Sequence, residues 1–153
     1  MAFKELMKVG LAMIQEDHLL VVRKQGTKTF ILPGGKPEGG EKDLEALCRE
    51  LQEELGCTLT EARFEGAFTD RAADLVNTVV TVRLYAGTLR GEPRPASEIE
   101  ELAWVNLSEP IELPLAPSIT NQILPHLRAR RDMSSGLERR RVTTRRLARP
   151  ARP

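Results

Sequence analysis

Residues 35–57 of this 153-residue chain read GKPEGGEKDLEALCRELQEELGC, and the rest of the chain is organised around them. Its second half predicts a helix, because apolar residues recur at the three- and four-residue spacing of one helix face. These residues are Leu44, Leu47, Cys48, Leu51 and Leu55. Three glutamates lie roughly 120° around the helix from that face, namely Glu50, Glu53 and Glu54. We therefore expect a core-facing helix that carries a cluster of carboxylates beside its apolar face.

The composition of the carboxylate cluster suits a metal ion. Glu50 and Glu54 are four residues apart, so their like charges repel at a cost of about 0.2–0.5 kcal/mol. Mg²⁺ is typically held by a few carboxylates together with the phosphates of a substrate. Considered alone, such a charge run is more often a solvated helix face, so the surrounding residues decide between the two interpretations.

The surrounding residues resemble the Nudix box. That signature is Gly, five residues, Glu, seven residues, Arg-Glu-aliphatic, one residue, Glu-Glu, one residue and Gly-aliphatic. The matching residues are Gly35, Glu41, Arg49, Glu50, Leu51, Glu53, Glu54 and Gly56. Cys57 stands where an aliphatic residue is usual, and a buried thiol behaves as a small hydrophobe. On this signature the chain is identified as a member of the Nudix hydrolase family.

The resemblance implies a metal-dependent catalytic site. It implies Mg²⁺ as the cofactor, with Mn²⁺ able to replace it. The implied ligands are the Gly35 carbonyl and the carboxylates of Glu50, Glu53 and Glu54, with the last two as principal ligands. Glu41 and Arg49 match positions that brace the loop against the helix, so they are expected to align the carboxylates without contacting the metal.

Residues outside the box are expected to complete the site. Many family members take the catalytic base from a loop outside the box, and Glu98 is our candidate for that role. Glu100 and Glu101 are weaker candidates, a box glutamate is the alternative, and Glu98 is equally well explained as a polar loop residue. Arg23 and Lys36 stand where family members often contact phosphates, and each is equally well explained as a solvated surface charge.

The resemblance indicates the reaction and leaves the substrate open. Ala72 and Ala73 stand where ADP-ribose and dinucleoside-polyphosphate hydrolases of the family often carry proline or tyrosine. Asn121 lies where hydrolases of oxidised nucleoside triphosphates often carry an asparagine, although it is equally compatible with the solvent face of a helix. We therefore expect hydrolysis of a nucleoside triphosphate, including an oxidised one, to the monophosphate and pyrophosphate.

Two alternatives stay open at this point. One is a hydrolase of ADP-ribose or nucleotide sugars. The other is a non-catalytic nucleotide-binding regulatory module that acts through a basic tail. The complete set of box glutamates favours an enzyme, because a pure binding module has no need of three clustered carboxylates.

Charge is unevenly distributed along the chain. Residues 128–153 hold ten Arg residues and two acidic residues, whereas the remainder is net acidic. We expect a Nudix hydrolase domain over residues 1–130 and a flexible Arg-rich tail over residues 131–153 that is dispensable for catalysis. Because no aromatic residues interleave the arginines, a solvated extension is favoured over a nucleic-acid contact. A homodimer is a further option.

Composition and cysteine content are those of an ordinary globular domain, with 41% hydrophobic and 29% charged residues. Cys48 and Cys57 do not form a disulfide framework, and His18 and His126 show no zinc-ligand spacing. The first residues lack the apolar run of a signal peptide, and no stretch reaches the length of a membrane span. We therefore expect a cytoplasmic protein with no membrane association.

The order of the predicted elements indicates an α/β fold. Strand segments are predicted at residues 9–14, 19–23, 29–32, 64–70, 77–89 and 99–105. The first two are expected to form a hairpin, and the last carries Trp104 as a core anchor. A final helix is predicted from about residue 117 to Arg130, with Pro125 kinking it or ending it early. The resemblance makes the fold an α/β/α sandwich with a mixed sheet and a loop–helix–loop catalytic motif.

Overall fold

The computed structural model describes residues 2–133 and 145–150. The strands are β1 (Lys4–Ala12), β2 (Ile14–Gln15), β3 (His18–Lys24), β4 (Gly34–Gly35), β5 (Thr58–Arg71), β6 (Thr78–Arg90), β7 (Ile99–Asn106) and β8 (Arg145–Ala148). Helix α1 spans Asp43–Leu55, a π-helical segment spans Ile119–Ile123, and helix α2 continues from it over Leu124–Met133.

The strands form two four-stranded sheets. The first is mixed, in the order β4-β1-β6-β5, with β1 parallel to β6 and the other pairs antiparallel. The second is antiparallel, in the order β2-β3-β7-β8. A mixed sheet was expected, and the structure adds a separate antiparallel sheet beside it.

Both sheets lie between the helices. Side chains alternate along each strand, so Leu19 and Val21 of β3 face one side while Leu20 and Val22 face the other. On the first side the core includes Ile123 and Leu127 of the C-terminal helical segment. On the second side the core contains the buried residues of α1 and Trp104, which is 9% exposed. The predicted α/β/α sandwich and the anchor role of Trp104 are confirmed.

The predicted hairpin is mostly wrong. Only Ile14–Gln15 pairs with the start of β3, around a tight turn at Glu16 and Asp17, whose φ angles are 48° and 65°. Strand β1 runs in the other sheet, where nine of its residues pair in parallel with β6. Strand β1 therefore pairs with the long apolar strand β6 instead of forming a full hairpin with β3. The sequence of β1 alone does not indicate which partner it takes.

Helix α1 forms in the predicted stretch, and its buried face is shifted. Its buried residues are Ala46, Leu47, Glu50, Leu51, Glu54 and Leu55. Cys48 is exposed and Leu44 is 44% exposed, so both were wrongly assigned to the core. The helix is rotated so that Glu50 and Glu54 face the glycines of β4. It ends at Gly56, whose φ of 67° lets its N–H donate to the Gln52 carbonyl at 3.0 Å.

The C-terminal helix passes through Pro125 and continues to Met133, beyond the predicted end at Arg130. The Leu124 N–H donates to the Ile119 carbonyl, which is the five-residue hydrogen bond of a π-helix. Pro125 is the second residue of α2 and directly follows the turn in which the helix changes from π to α hydrogen bonding. Pro125 does not end the helix.

Part of the predicted tail is ordered as a strand. Strand β8 pairs antiparallel with β7, from Glu101 opposite Ala148 to Trp104 opposite Arg145. The expectations of a frayed extension and of β7 as the last strand are therefore wrong for residues 145–148. Most of the predicted tail, residues 134–144 and 151–153, lies outside the described residues. The division of the chain near residue 130 stays a prediction.

Two further expectations can be compared with the structure. Cys48 and Cys57 are both free thiols, as expected. Among residues 2–133 and 145–150, no helix is long and apolar enough to cross a membrane.

Candidate active site

Two glutamates of α1 are buried against the glycine pair of β4. Glu54 is 1% exposed and Glu50 is 9% exposed. The Gly34 N–H donates to Glu54 Oε1 at 3.2 Å. A Cβ atom on Gly35 would stand 2.5 Å from Cδ and Oε1 of Glu50. Only glycine at position 35 therefore allows the backbone to approach the Glu50 carboxylate this closely.

Arg49 braces the loop against the helix, as the resemblance implied. Its Nε donates to Glu41 Oε2 at 2.8 Å and its Nη2 donates to Glu41 Oε1 at 2.9 Å, a bidentate pair. Nη2 also donates to the Lys36 carbonyl at 3.1 Å, and Nη1 donates to Glu50 Oε1 at 3.0 Å. The hydrogen bonds from Arg49 lower the pKa of Glu41 to about 2. One guanidinium thus ties the loop carboxylate, the loop backbone and a helix carboxylate together.

Glu98 joins the two buried glutamates to form a cluster. One carboxylate oxygen from each of Glu50, Glu54 and Glu98 lies within 4.8 Å of the others. Glu98 is exposed and stands in the loop just before β7. Its proximity to two residues of α1, more than forty positions earlier in the chain, agrees with its selection as the outside candidate. Its chemical role stays a prediction.

Glu53 is placed differently from Glu50 and Glu54. Its side chain is 53% exposed, and its Oε2 accepts a hydrogen bond from Arg49 Nη1 at 3.4 Å. The cluster of Glu50, Glu54 and Glu98 does not include it. The structure therefore brings together two of the three predicted carboxylate ligands and the Gly35 backbone, and leaves Glu53 on the solvent side of the helix.

The cluster fits a hard divalent cation. Carboxylate oxygens are the ligands that Mg²⁺ prefers. Within the described part of the chain, Oε2 of Glu54 is buried with no hydrogen-bond donor. Burial raises the pKa of Glu54 well above its ordinary range, and the neighbouring Glu50 carboxylate raises it further. A cation between these oxygens would satisfy the unpartnered atom and remove the repulsion.

A cavity of about 430 Å³ adjoins the cluster. Its apolar lining includes Leu6, Ile31, Leu32, Val80, Val82, Ala116, Ile119 and Ile123. Gly35 lines it as well, so the cavity opens beside the carboxylates. Thr29 and Asp74 lie on its wall, joined by a hydrogen bond from the threonine hydroxyl to Asp74 Oδ1 at 3.1 Å.

Three lysines line the same cavity, namely Lys8, Lys24 and Lys36. Burial, together with the nearby charge of Lys24, lowers the pKa of Lys8 to about 8, against the opposing effect of Glu54 and Glu50. Lys24 Nζ lies 3.6 Å from Glu98 Oε1. The cationic wall and the carboxylate cluster are therefore in direct contact, an arrangement suited to a ligand that carries phosphates and a metal ion.

Only one of the three predicted substrate-binding residues lines the cavity. Lys36 lines the cavity, whereas Arg23 and Asn121 do not belong to its lining. Arg23 donates to Glu101 Oε1 at 3.1 Å and to the Thr27 carbonyl at 2.9 Å, so it is held by protein groups. Asn121 donates to Asp70 Oδ2 at 2.9 Å on the surface.

Lys8 and Lys24 were missed by sequence reasoning. Lys8 lies on the β1 face of Leu6, next to the buried positions Gly10 and Ala12, and a lysine beside buried positions was the signal available. Lys24 follows directly after Arg23, which was chosen in its place. Successive side chains of a strand point to opposite faces of the sheet, so an error of one residue assigns the wrong side chain to the cavity.

Comparison with known proteins gives consistent matches. A model of the NUDIX domain matches residues 5–127. The Mycobacterium tuberculosis protein "Putative 8-oxo-dGTP diphosphatase 2" is 42% identical over 81 residues, which are 51% of this chain and 54% of that protein. The Escherichia coli (strain K12) CTP pyrophosphohydrolase is 26% identical over 126 residues, which are 74% of this chain and 86% of that protein. The chain thus spans about half the length of the mycobacterial relative it matches.

Structural comparison supports the same fold. The MutT protein from Methanosarcina mazei Go1 has a TM-score of 0.69 at 21% identity, covering 85% of this chain and 98% of its own. At that identity the likeness concerns the fold alone. The domain match over residues 5–127 is decisive, because it covers most of the chain and includes the loop, α1 and Glu98. The chain is a member of the NUDIX domain family, whose hydrolases act on phosphoanhydride bonds.

Proposed function

We propose that this protein is a Mg²⁺-dependent pyrophosphohydrolase that converts a nucleoside triphosphate, including an oxidised one, to the monophosphate and pyrophosphate. The observation that carries the proposal is the cluster of Glu50, Glu54 and Glu98, whose oxygens lie within 4.8 Å of one another beside a lysine-lined cavity. A phosphate chain and a divalent cation together match both features.

The carboxylates would hold the metal. Glu50 and Glu54 are the ligands best supported by burial and by the unpartnered Oε2 of Glu54. The Gly35 carbonyl is kept as a further ligand on the strength of the family signature and of the close approach of the Gly35 backbone to Glu50. Bound Mg²⁺ would neutralise charge on the phosphate oxygens and lower the pKa of a water nucleophile. Glu53 is kept as a ligand on the strength of the family signature, although its side chain is half exposed. Mn²⁺ offers the same charge and a similar preference for oxygen ligands.

Glu98 is the proposed general base. It is the exposed member of the cluster, so its carboxylate can meet a water molecule that arrives from solvent. Lys24 Nζ lies 3.6 Å from Glu98 Oε1, and this ion pair holds the Glu98 side chain beside the cluster. The buried glutamates would therefore bind the cation, and the exposed Glu98 would accept a proton from the attacking water.

The lysines and the apolar cavity would bind the two ends of the nucleotide. Lys8, Lys24 and Lys36 offer positive charge to the phosphates. The apolar wall formed by Leu32, Val82 and other side chains suits the faces of a nucleobase. The names of two relatives, an 8-oxo-dGTP diphosphatase and a CTP pyrophosphohydrolase, support a triphosphate substrate. Asn121 lies outside the cavity lining and is not part of the proposed site.

A hydrolysis screen tests the proposal. Purified protein is incubated with canonical and oxidised nucleoside triphosphates, ADP-ribose, nucleotide sugars and dinucleoside polyphosphates, each with Mg²⁺ and with chelator. We expect Mg²⁺-dependent release of monophosphate and pyrophosphate from a triphosphate. A preference for ADP-ribose would overturn the substrate assignment, and binding of nucleotides without hydrolysis would support the regulatory module instead. Cytoplasmic location and the homodimer stay predictions.

A further inference from the structure

The C-terminal segment makes contacts on both sides of Glu98. Strand β8 lies against β7, and Arg149, just beyond β8, reaches back to the loop that precedes β7. Arg149 Nη2 donates to the Ser97 carbonyl at 2.7 Å, and the Arg149 backbone N–H donates to the Glu100 carbonyl at 2.9 Å. These two acceptors stand immediately before and shortly after Glu98 in the chain.

The backbone of Ser97 has a conformation that contacts from other parts of the chain must stabilise. Ser97 has a φ of 53°, in the left-handed region that a residue with a Cβ rarely adopts. Such a conformation persists only when surrounding contacts fix it. The hydrogen bond from Arg149 to the Ser97 carbonyl is one of those contacts, and it orients the peptide group that joins Ser97 to Glu98.

A second arginine of the segment anchors β8 to β7. Arg146 donates to Glu101 through Nε at 2.8 Å and through Nη2 at 2.7 Å. Glu101 is 5% exposed and also accepts a hydrogen bond from Arg23 at 3.1 Å. The Arg146 guanidinium lies 5.6 Å from the centre of the Phe30 ring. The segment is therefore attached to the domain by side chains as well as by strand pairing.

We propose that the C-terminal segment is a positioning element of the active site, in which Arg149 fixes the loop that carries Glu98. This inference rests on the proposed role of Glu98 as general base. It replaces the expectation that the Arg-rich tail is dispensable for catalysis. Because Arg149 contacts the loop, and residues 145–150 are not among those that line the cavity, their removal should impair the use of Glu98 more than the binding of nucleotide.

Two variants of the 153-residue chain test the role of Arg149. Arg149→Ala removes the contact to Ser97, and Arg149→Lys retains a donor that can reach a single carbonyl. Arg94→Ala is the matched control, because Arg94 lies in the same loop between β6 and β7 with a side chain that is 76% exposed. We expect Arg149→Ala to lower kcat about tenfold with KM within about twofold, because small displacements of a catalytic group cost rate more than binding. Arg149→Lys should recover part of that loss, and the control should match wild type.

A double-mutant cycle with Glu98→Gln separates positioning from general stabilisation. If Arg149 acts through Glu98, adding Arg149→Ala to Glu98→Gln lowers kcat by less than about twofold further. A further tenfold loss in that background would overturn the proposal. A chain shortened after Ala148 removes the backbone contact as well and keeps all of β8, so it should lower kcat at least as much as Arg149→Ala.

Hydrogen exchange in metal-free protein gives a measurement that does not require activity. Arg149→Ala should speed exchange of the amides at residues 97–100 about tenfold, with α1 unchanged. Unchanged exchange in this loop, for both Arg149→Ala and the shortened chain, would contradict the proposal. If wild-type protein hydrolyses no nucleotide, the proposed function fails, and the exchange measurement still decides whether Arg149 holds the loop.

Discussion

At the scale of single residues, the site depends on how closely the backbone of β4 approaches α1. Gly35 leaves just enough room for the Glu50 carboxylate, and the Gly34 N–H holds Glu54. The side chain of Arg49 spans the remaining distance to Glu41. Each of these contacts positions a carboxylate, so we expect a small change in the loop to weaken metal binding more than it lowers the stability of the fold.

Gly35→Ala tests the close approach. A Cβ atom there would stand 2.5 Å from the Glu50 carboxylate, which must move. We expect turnover to fall at least about tenfold, and the free energy of unfolding to fall by about 1–3 kcal/mol as in other overpacked sites. Gly39→Ala is the control, since a Cβ at Gly39 meets no atom within 4 Å although its φ is 52°. The control should lose some stability and keep its activity, and equal activity losses in both variants would contradict this account.

Glu41→Gln tests the brace through its pH dependence. The pKa of Glu41 is lowered from 4.5 to about 2 in the folded protein, so its ion pair with Arg49 stabilises the fold above about pH 4.5. That contribution is lost as the pH falls from 4.5 towards 2. We therefore expect Glu41→Gln to lower the melting temperature at pH 7 and to have little effect near pH 2.5. An equal difference at both pH values would mean that Glu41 is not held by its charge.

At the scale of elements, the orientation of α1 was the hardest feature to predict. Apolar spacing correctly located the helix and its buried residues Leu47, Leu51 and Leu55. The same spacing wrongly assigned Leu44 and Cys48 to the core, because a prediction from apolar periodicity assumes that every glutamate of a helix faces solvent. Here Glu50 and Glu54 are buried against β4, and the helix is rotated accordingly. The signature residues predicted a metal site, but only the structure shows that Glu50 and Glu54 pack against β4 while Glu53 faces solvent.

Alanine substitutions distinguish the two orientations of α1. Leu51 is fully buried and Leu44 is 44% exposed. We expect Leu51→Ala to reduce the free energy of unfolding by about 2–5 kcal/mol, because it leaves a cavity in the core. Leu44→Ala should cost less than about 1 kcal/mol. Chemical denaturation measures both, and equal costs would favour the orientation expected from the apolar spacing.

At the scale of the whole molecule, the fold brings distant parts of the chain to one cavity. Local patterns predicted most strands and both helices, since apolar periodicity is a property of neighbouring residues. The pairing of β1 with β6 and of β7 with β8 was not predictable in that way, because strand partners are chosen by long-range packing. For the same reason Lys8 and Lys24 were missed as members of the cavity lining.

Binding of metal and nucleotide should therefore stabilise the whole domain. With Mg²⁺ and a non-hydrolysable nucleoside triphosphate analogue at 100 times its Kd, the gain is about 2.7 kcal/mol. For a domain of this size that corresponds to a rise of roughly 5–10 °C in melting temperature. Thermal denaturation with metal alone, analogue alone and both together measures the effect. A rise with the analogue that is independent of Mg²⁺ would contradict a metal–phosphate site.

The most direct test of the central claim is turnover of the Glu54→Gln variant at saturating Mg²⁺. The substitution keeps the size of the side chain and removes the charge from the buried carboxylate whose Oε2 has no donor among the described residues. Glu61→Gln makes the same change at an exposed position on β5 and serves as the control. We expect Glu54→Gln to lower kcat on the order of a hundredfold or more, because it weakens metal binding, and Glu61→Gln to match wild type. Near-wild-type hydrolysis by Glu54→Gln would contradict the assignment of the metal site.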